Sequence, residues 1–500
     1  MSQAFFAQPP RSGQVTQCHL AHNGPVWRSV ADYVHSLGLD AYLVGGAVRD
    51  ELLGKTAREL DFVVPGVGHA ELRAALEPHG KVEDLVVADQ RVGVRLLPRD
   101  KAARALQPAG IEFTPPRMER STGPGRHDFE IVADGGISLE QDMERRDFTI
   151  NAIARRLHTG ELLDPLHGRD DLEQGVLRTT SPTSFRDDPL RIVRGLRFVS
   201  QLGVDPDDET LAQMREWAPR IEHVSGERIG GGLAADGMGE LSKLLLGDQP
   251  AKALRLARDT GVLVHVLPEL APAIGFDQES RYHDLPLDEH IFRVVQAAAD
   301  AGASLPVRLA ALLHDAGKPE SAWRGQDGRQ HFYANEALGK RSHEEIGADL
   351  ASQALSRLRY PARLRQQVRR LVREHMFGVP DPGHRAKVRR FLQRHGDDLS
   401  FDLVAHKRAD LLGKRAGHDG TVELELAGLE AFREALAEEI ASPHRLDQLA
   451  VDGNDLIAAG WAPGPDLGAA LQHLLGCITG DPSLNTREWL LGEAARLRTG

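Results

Sequence analysis

The sequence predicts an α+β amino-terminal head followed by a mostly α-helical remainder. From Val26 to about Arg156, apolar runs alternate with short helical patterns, as in a unit that packs helices on a sheet. Beyond Arg156 the strand signals fade, and helical periodicity dominates in Asp188–Gln201, Pro250–Val262, Asp288–Ala301, Pro306–Ala316 and Val422–Ile440. A chain of 500 residues also exceeds what one hydrophobic core supports. Turn-rich breaks at Asp205-Pro206-Asp207, Gly230-Gly231-Gly232 and Pro380–Gly383 mark the joints. The expected division is a loose tail over 1–22, a head over 23–156, a neck over 157–222 and a helical body over 223–285. A histidine-rich unit over 286–415 and a helical tail over 416–500 complete it.

Composition narrows the function classes. Cys18 and Cys477 are too few for a disulfide framework and wrongly spaced for a thiolate zinc site, which suits a reducing compartment. No apolar stretch approaches the ~20 residues needed to cross a bilayer, so a cytoplasmic protein without membrane contact is expected. The net charge of −12 disfavours a uniformly polyanion-binding surface and leaves any nucleic-acid contact to local basic clusters. The arginine-rich stretch from Arg357 to Arg373 is one such cluster, readable equally as a solvated helix face.

Taken in order, Ala41–Val44 reads as a strand, Gly45-Gly46 as a sharp turn, Val48–Leu53 as a short helix stopped by Gly54, and Leu60–Val64 as a second strand. Two residues without side chains, just before a helix, let backbone amides approach a phosphate. Glu59 and Asp61, two apart on the following strand, project to one face and can share magnesium ions. The whole run resembles the signature of the DNA polymerase β-like nucleotidyltransferases, in the class shared by bacterial CCA-adding enzymes and poly(A) polymerases. The resemblance implies that Gly45, Gly46 and Arg49 hold the nucleotide, and that Glu59 and Asp61 bind Mg²⁺, with Glu112 of Ile111-Glu-Phe-Thr as third carboxylate. The family usually has Asp at both of the first two positions; here the first is Glu59.

Arg145-Arg-Asp-Phe-Thr-Ile-Asn-Ala152 resembles a second motif of that class, with Arg146 suited to phosphate and Asp147 and Asn151 to ribose hydroxyls or to orienting arginines. Asp164-Pro165, with Gly168, Asp170, Asp171 and Leu172, resembles a third, assigned to orienting head and neck. Arg186–Phe198 is expected to open a helix that carries Asp188 and Arg191 on one face. Cytosine and adenine each show an amine donor beside a ring-nitrogen acceptor, so a carboxylate and a guanidinium can select both and reject guanine and uracil. The resemblance implies that Asp188 and Arg191 are this amino-acid template and adds Arg194 and Arg197 to the nucleotide site. Glu227-Arg-Ile229 and Glu240–Leu245 resemble the halves of a further motif, here split by a glycine-rich stretch.

Downstream, His290, the adjacent His314-Asp315 and Asp410 can share one metal, with His343 and His375 available for a second metal or a phosphate. The ordered series resembles an HD-domain phosphohydrolase, which implies phosphoester hydrolysis by a divalent transition metal or Mg²⁺. Residues Leu449 to Arg496 resemble the family's helical tail.

Together these resemblances imply a class II tRNA nucleotidyltransferase that takes CTP, ATP and tRNA, adds CMP and AMP to the tRNA 3′ end, and carries an HD hydrolase. A poly(A) polymerase, a CC-only or A-only enzyme, and a tRNA-binding protein with an inactive head are the competing readings. The sequence leaves the oligomeric state open.

Overall fold

The computed structural model describes residues 25–56, 60–87, 90–121, 129–133, 135–231, 238–279, 285–414 and 421–499. The expected loose tail over 1–22 and Glu59 lie outside the described residues. The chain divides into two compact units, one built from the residues up to Gln174 together with Arg178–Ser181, the other from Gly175–Leu177 and the chain from Pro182 onward.

The described residues of the first unit form nine strands: β1 (Tyr42–Val44), β2 (Asp61–Val63), β3 (Gly80–Val87), β4 (Gln90–Pro98), β5 (Ile111–Thr114), β6 (Arg117–Ser121), β7 (Phe129–Ala133), β8 (Ala154–Arg156) and β9 (Leu162–Leu163). Seven form one sheet in the order β3-β4-β5-β2-β1-β8-β9, while β6 and β7 pair separately. All pairs in the large sheet are antiparallel except β2–β5, which run parallel with Asp61 opposite Glu112. Alternation explains the register: Ile111 and Phe113 of β5 face the core, and Glu112 and Thr114 do not. Leu43, Val48, Phe62, Leu96 and Phe113 form the centre of that core, with the Phe62 and Phe113 rings stacked 5.6 Å apart.

In the second unit β10 (Val176–Leu177) pairs in parallel with β11 (Asp205–Pro206), and helices follow. The expected helices form at Leu190–Leu202, Pro250–Asp259, Leu287–Asp300, Leu305–Leu313 and Thr421–Glu439. A short hairpin, β12 (Trp323–Arg324) and β13 (Gln330–His331), interrupts the helical series. The tail has its own core around Leu456, Leu474, Ile478 and Leu490. No described helix is long and apolar enough to cross a membrane.

The split motif closes in space. Gly239 donates its N–H to the Gly230 carbonyl at 2.9 Å, and Ser242 Oγ donates to the same oxygen at 3.1 Å. The glycines are required by proximity: a Cβ on Gly231 would stand 2.1 Å from the Arg359 carbonyl oxygen, and one on Gly239 2.5 Å from that of Ile229.

Within the arginine-rich stretch, carboxylates claim most of the charge. Arg357 pairs with Glu269, Arg369 with Asp349, Arg370 with Glu374 and Arg373 with Glu345. This is the solvated, ion-paired face rather than a bare basic stripe.

Candidate active sites

In the head, Gly45 precedes the Gly46–Leu52 helix with φ 71°, a left-handed value that favours glycine. A Cβ at Gly45 would stand 2.9 Å from the Arg146 guanidinium. Arg49, on the helix, donates to the Asn151 side-chain oxygen at 2.7 Å and to Asp50 at 2.6 Å. Asn151 in turn donates to Asp147 at 3.0 Å, and the same Asp147 oxygen accepts the Phe148 N–H at 2.8 Å. The structure therefore brings Gly45, Gly46, Arg49, Arg146, Asp147 and Asn151 into one contiguous network, with Asp147 orienting Asn151 and Asn151 orienting Arg49.

The carboxylates stand at the strand ends. Asp61 is exposed at the start of β2, whereas Phe62 and Val63 beside it are buried. Glu112 is its register partner, yet its carboxylate accepts two hydrogen bonds from Arg95 of β4, at 2.6 and 3.2 Å. Both bonds fall on one oxygen, Oε1, so Arg95 fixes the orientation of Glu112 through a single carboxylate oxygen.

Sequence reasoning passed over Asp142, which organises the second motif. Its side chain is fully buried and accepts from Arg145 at 2.7 Å, from Arg146 at 3.0 Å and from the Arg117 backbone N–H at 3.1 Å. Burial alone pushes its carboxyl up, but Arg145 and Arg146 outweigh that and hold it below the usual range. The serine-capped Leu139–Glu144 helix was the available signal, placing Asp142 one turn before both arginines. The third motif is structural: Asp164 accepts the N–H groups of Gly168 and Arg169, and buried Asp171 binds Thr149 Oγ1 at 2.7 Å.

In the second unit the expected Asp188–Arg191 face is corrected. Asp188 precedes the Leu190–Leu202 helix with extended backbone, φ −142° and ψ 100°, because the residue before Pro189 is barred from helical geometry. One Asp188 oxygen accepts the Leu190 N–H at 3.1 Å, and the other binds Arg228 at 2.7 Å. Arg191, in the first turn, donates to Ser184 Oγ at 3.0 Å. Arg194 and Arg197 converge on Glu240, at 3.7 and 3.0 Å. Arg228 and Glu240, both from the split motif, are thus the partners that sequence reasoning left unassigned.

The histidine cluster assembles from five helical segments. His290 lies in Leu287–Asp300, His314 and Asp315 just past Leu305–Leu313, His343 at the start of His343–Arg357, His375 just past Ala362–Glu374, and Asp410 in Asp397–Gly413. Among the described residues two candidate metal-holding groups result: His290, His314 and Asp410, and Asp315, His343 and His375, with the donor atoms in each lying within 4.8 Å of one another. Asp315 faces both. One oxygen lies 3.4 Å from His290 and 3.1 Å from His314, the other 3.6 Å from His343 and 3.9 Å from His375.

Backbone carbonyls orient the rings. The Nδ1 atoms of His314, His343 and His375 lie 2.9, 3.2 and 2.7 Å from the carbonyls of Ala311, Phe332 and Val372, which leaves each Nε2 facing the cluster. Burial disfavours charge on Asp315 and Asp410, yet the neighbouring histidines and Lys318 or Lys414 hold both well below the usual carboxylate range. Burial pushes His343 and His375 down, toward the neutral form that ligates metals. His290 is the exception: burial pushes it down, but the Asp315 and Asp410 carboxylates, which accept from its ring, outweigh that and raise it.

Two further residues of this cluster have no assigned role in the sequence reading. Lys318 places its ammonium 2.7 Å from Asp315. His406, one turn before Asp410, is fully buried with its ring 5.1 Å from that of His314, and neither ring nitrogen has a hydrogen-bond partner among the described residues. Burial, then His314, push it down to about 3. Its spacing from Asp410 was the only available clue.

Comparisons with known proteins agree with this anatomy. Residues 41–178 match the poly A polymerase head domain family, residues 203–274 the probable RNA and SrmB-binding site of polymerase A, and residues 287–412 the HD domain. A multifunctional CCA protein of Alkalilimnicola ehrlichii is 36% identical over 347 residues, covering 68% of this chain and 74% of that protein. One from Xanthomonas campestris pv. campestris is 33% identical over 453 residues, covering 86% and 95%. The fold is that of the Bacillus stearothermophilus CCA-adding enzyme crystallised with CTP, at a TM-score of 0.65, 22% identity and coverage of 95% and 99%. With three family domains in order and relatives of this similarity along most of its length, the chain belongs to the multifunctional CCA protein family.

Proposed function

We propose that this chain adds CMP and AMP, from CTP and ATP, to the 3′ end of tRNA, and that its HD domain hydrolyses phosphoesters at RNA ends. The observation that carries the first activity is the head network. Gly45 and Gly46 leave room for a triphosphate, Arg49 and Arg146 are held in place by Asn151 and Asp142 to meet its charge, and Asp61 stands exposed beside them. Oxygen donors suit Mg²⁺, so Asp61 and Glu59 would hold it, with Glu112 joining through the oxygen that Arg95 does not bind. When bound, Mg²⁺ supplies charge neutralisation for the attacking hydroxyl and the departing pyrophosphate. Within the second unit, Asp188 and Arg191 would read the base edge, Arg228 fixes Asp188, and Arg194 and Arg197, which converge on Glu240, would serve nucleotide binding.

Relatives carry the name multifunctional CCA protein, and a similar fold was solved for the Thermotoga maritima CCA-adding enzyme with tRNA, at a TM-score of 0.53. Both support a tRNA substrate. The working division keeps catalysis in 23–156, base selection in 157–222, the body in 223–285, the HD domain in 286–415 and the tail in 416–500, in a cytoplasmic protein.

For the HD centre, each group offers two imidazoles and a carboxylate, a nitrogen-rich set that favours a divalent transition metal over Mg²⁺. A metal there supplies an activated water. The chain's own residues keep the histidines oriented and the carboxylates ionised. Hydrolysis joins a water oxygen to phosphorus and breaks one ester bond, its proton passing to the leaving oxygen.

The test uses tRNA transcripts ending before the first C, before the second C and before A, each with labelled CTP or ATP. Sequential CTP and ATP incorporation is expected. CTP-only, ATP-only or untemplated ATP runs would replace the reading with a CC-adding, A-adding or poly(A) enzyme, and no incorporation with a binding protein.

A further inference from the structure

The Asp397–Gly413 helix brings more to the HD centre than Asp410. His406 precedes Asp410 by one helical turn, so the two side chains share a face. His406 is fully buried, and its ring meets that of His314 edge-on at 5.1 Å and that of His375 at 5.7 Å. The contact with His314 is as close as those inside the two donor groups, where His290 and His314 stand 5.5 Å apart and His343 and His375 5.2 Å. Lys407, the next residue, lies instead against the Phe377 ring at 5.3 Å. The helix thus offers the cluster an imidazole as well as a carboxylate.

A neutral imidazole carries one N–H donor and one nitrogen lone pair, and buried polar atoms of this kind normally find partners. Neither His406 nitrogen has a hydrogen-bond partner among the described residues. His314, His343 and His375 differ, each setting Nδ1 against a backbone carbonyl. A ring required only to fill the core would be served by leucine or phenylalanine, which withdraw no polar atom from water. A lone pair placed among histidines and carboxylates is, by contrast, what a metal ion uses.

We propose that His406 is a further nitrogen donor of the HD centre, joining His290, His314 and Asp410 on one divalent transition-metal ion. This rests on the reading of the HD centre as a metal site and not on its hydrolytic activity. The ring nearest His406 is that of His314, and Asp410 shares its helix face, which assigns it to this group rather than to Asp315, His343 and His375. The two groups are then unequal. Three imidazoles and a carboxylate hold the first ion more tightly than two imidazoles and a carboxylate hold the second, and favour Co²⁺, Ni²⁺ or Zn²⁺ over Mg²⁺ more strongly.

The experiment dialyses metal-free full-length protein against Co²⁺ in excess Mg²⁺, which holds the oxygen-donor site of the head, and follows bound cobalt and its visible absorption bands. His406→Leu keeps similar bulk without a donor. It is expected to raise the dissociation constant of the tighter Co²⁺ about a hundredfold or more, at or beyond the upper end for loss of a group that only orients a ligand, and to shift the bands. His406→Cys replaces the imidazole with a thiol and should bring a sulfur-to-cobalt charge-transfer band that the unmutated protein lacks. A folded His406→Leu protein that binds Co²⁺ within threefold of the parent, or more weakly with unchanged bands, would overturn the assignment. Should His406→Leu fail to fold, His406→Cys decides: the new band sustains direct ligation, and its absence overturns it. If the unmutated protein takes up no Co²⁺, the metal-site reading falls and His406 with it; equal uptake by parent and variants removes His406 alone.

Discussion

Asp61 stands exposed at a strand end, whereas His290, His314 and Asp315 are sealed in the HD core with at most 2% of their surface exposed. The head invests its burial in the scaffold behind the chemistry: Asp142 and Asp147 are inside, and the arginines and Asn151 they orient face the phosphate turn. The HD centre buries the reacting groups themselves. The difference teaches that the head keeps its acid within reach of solvent and of an incoming ligand, while the HD donors already set one another's protonation states.

That contrast can be broken most directly at Asp61. Asp61→Ala is expected to lower CTP incorporation about a hundred- to a thousandfold, the scale of a lost transition-state charge stabiliser, while a filter-binding assay shows tRNA affinity within about twofold. Near-normal incorporation would remove Asp61 from the site. The next largest effect belongs to the other region. His314→Ala or Asp315→Ala should cut metal-dependent hydrolysis of 2′,3′-cyclic phosphates a hundredfold or more and leave CTP addition intact. Loss of both activities together would show that the two centres do not work independently.

The buried scaffold sharpens the comparison in stability rather than rate. Asp142→Asn leaves two guanidiniums without their shared carboxylate and is expected to cost about 3 kcal/mol at pH 7, as for a broken buried pair. Because its folded pKa lies below the unfolded value, Asp142 stabilises fully above about pH 4 and loses that contribution as the pH falls through the folded value. The variant and the parent should therefore converge in acid melts, and a constant gap down to pH 2 would contradict this. The smallest effects concern selectivity. Arg191→Ala, Asp188→Ala and Arg228→Ala should each relax discrimination against UTP and GTP by about 1–3 kcal/mol, roughly five- to more than a hundredfold. Unchanged relative use of the four nucleotides by a folded Arg191→Ala protein would contradict base reading by this pair.

What the sequence made legible follows the range of the interaction. The strand–turn–helix–strand run around Gly45 and the order of the HD histidines rest on local spacing, and the structure has both where that spacing puts them. Asp188 was misplaced on the helix because apolar periodicity outvoted the restriction imposed by Pro189, a rule available in the sequence. The commitments of Glu112 to Arg95, Asp188 to Arg228 and Arg197 to Glu240 depend on strand register and tertiary contact, which no spacing encodes. His406 went unnoticed because an isolated buried histidine has no pattern of its own.

The glycine-lined contact between residues 226–231 and the 357–360 turn also ties distant parts of the chain together. Ser242 hydroxyl meets Tyr360 hydroxyl at 2.9 Å across 118 residues of sequence, and Gly231 donates to the Leu358 carbonyl beside it. Contacts of such separation close late, after the entropy of the intervening loop has been overcome. Arg228 sits within this closure and grips Asp188. The carboxylate assigned to base reading is thus held by a segment that itself packs on the distant 357–360 turn, so a substitution in that turn can reach Asp188 without touching it.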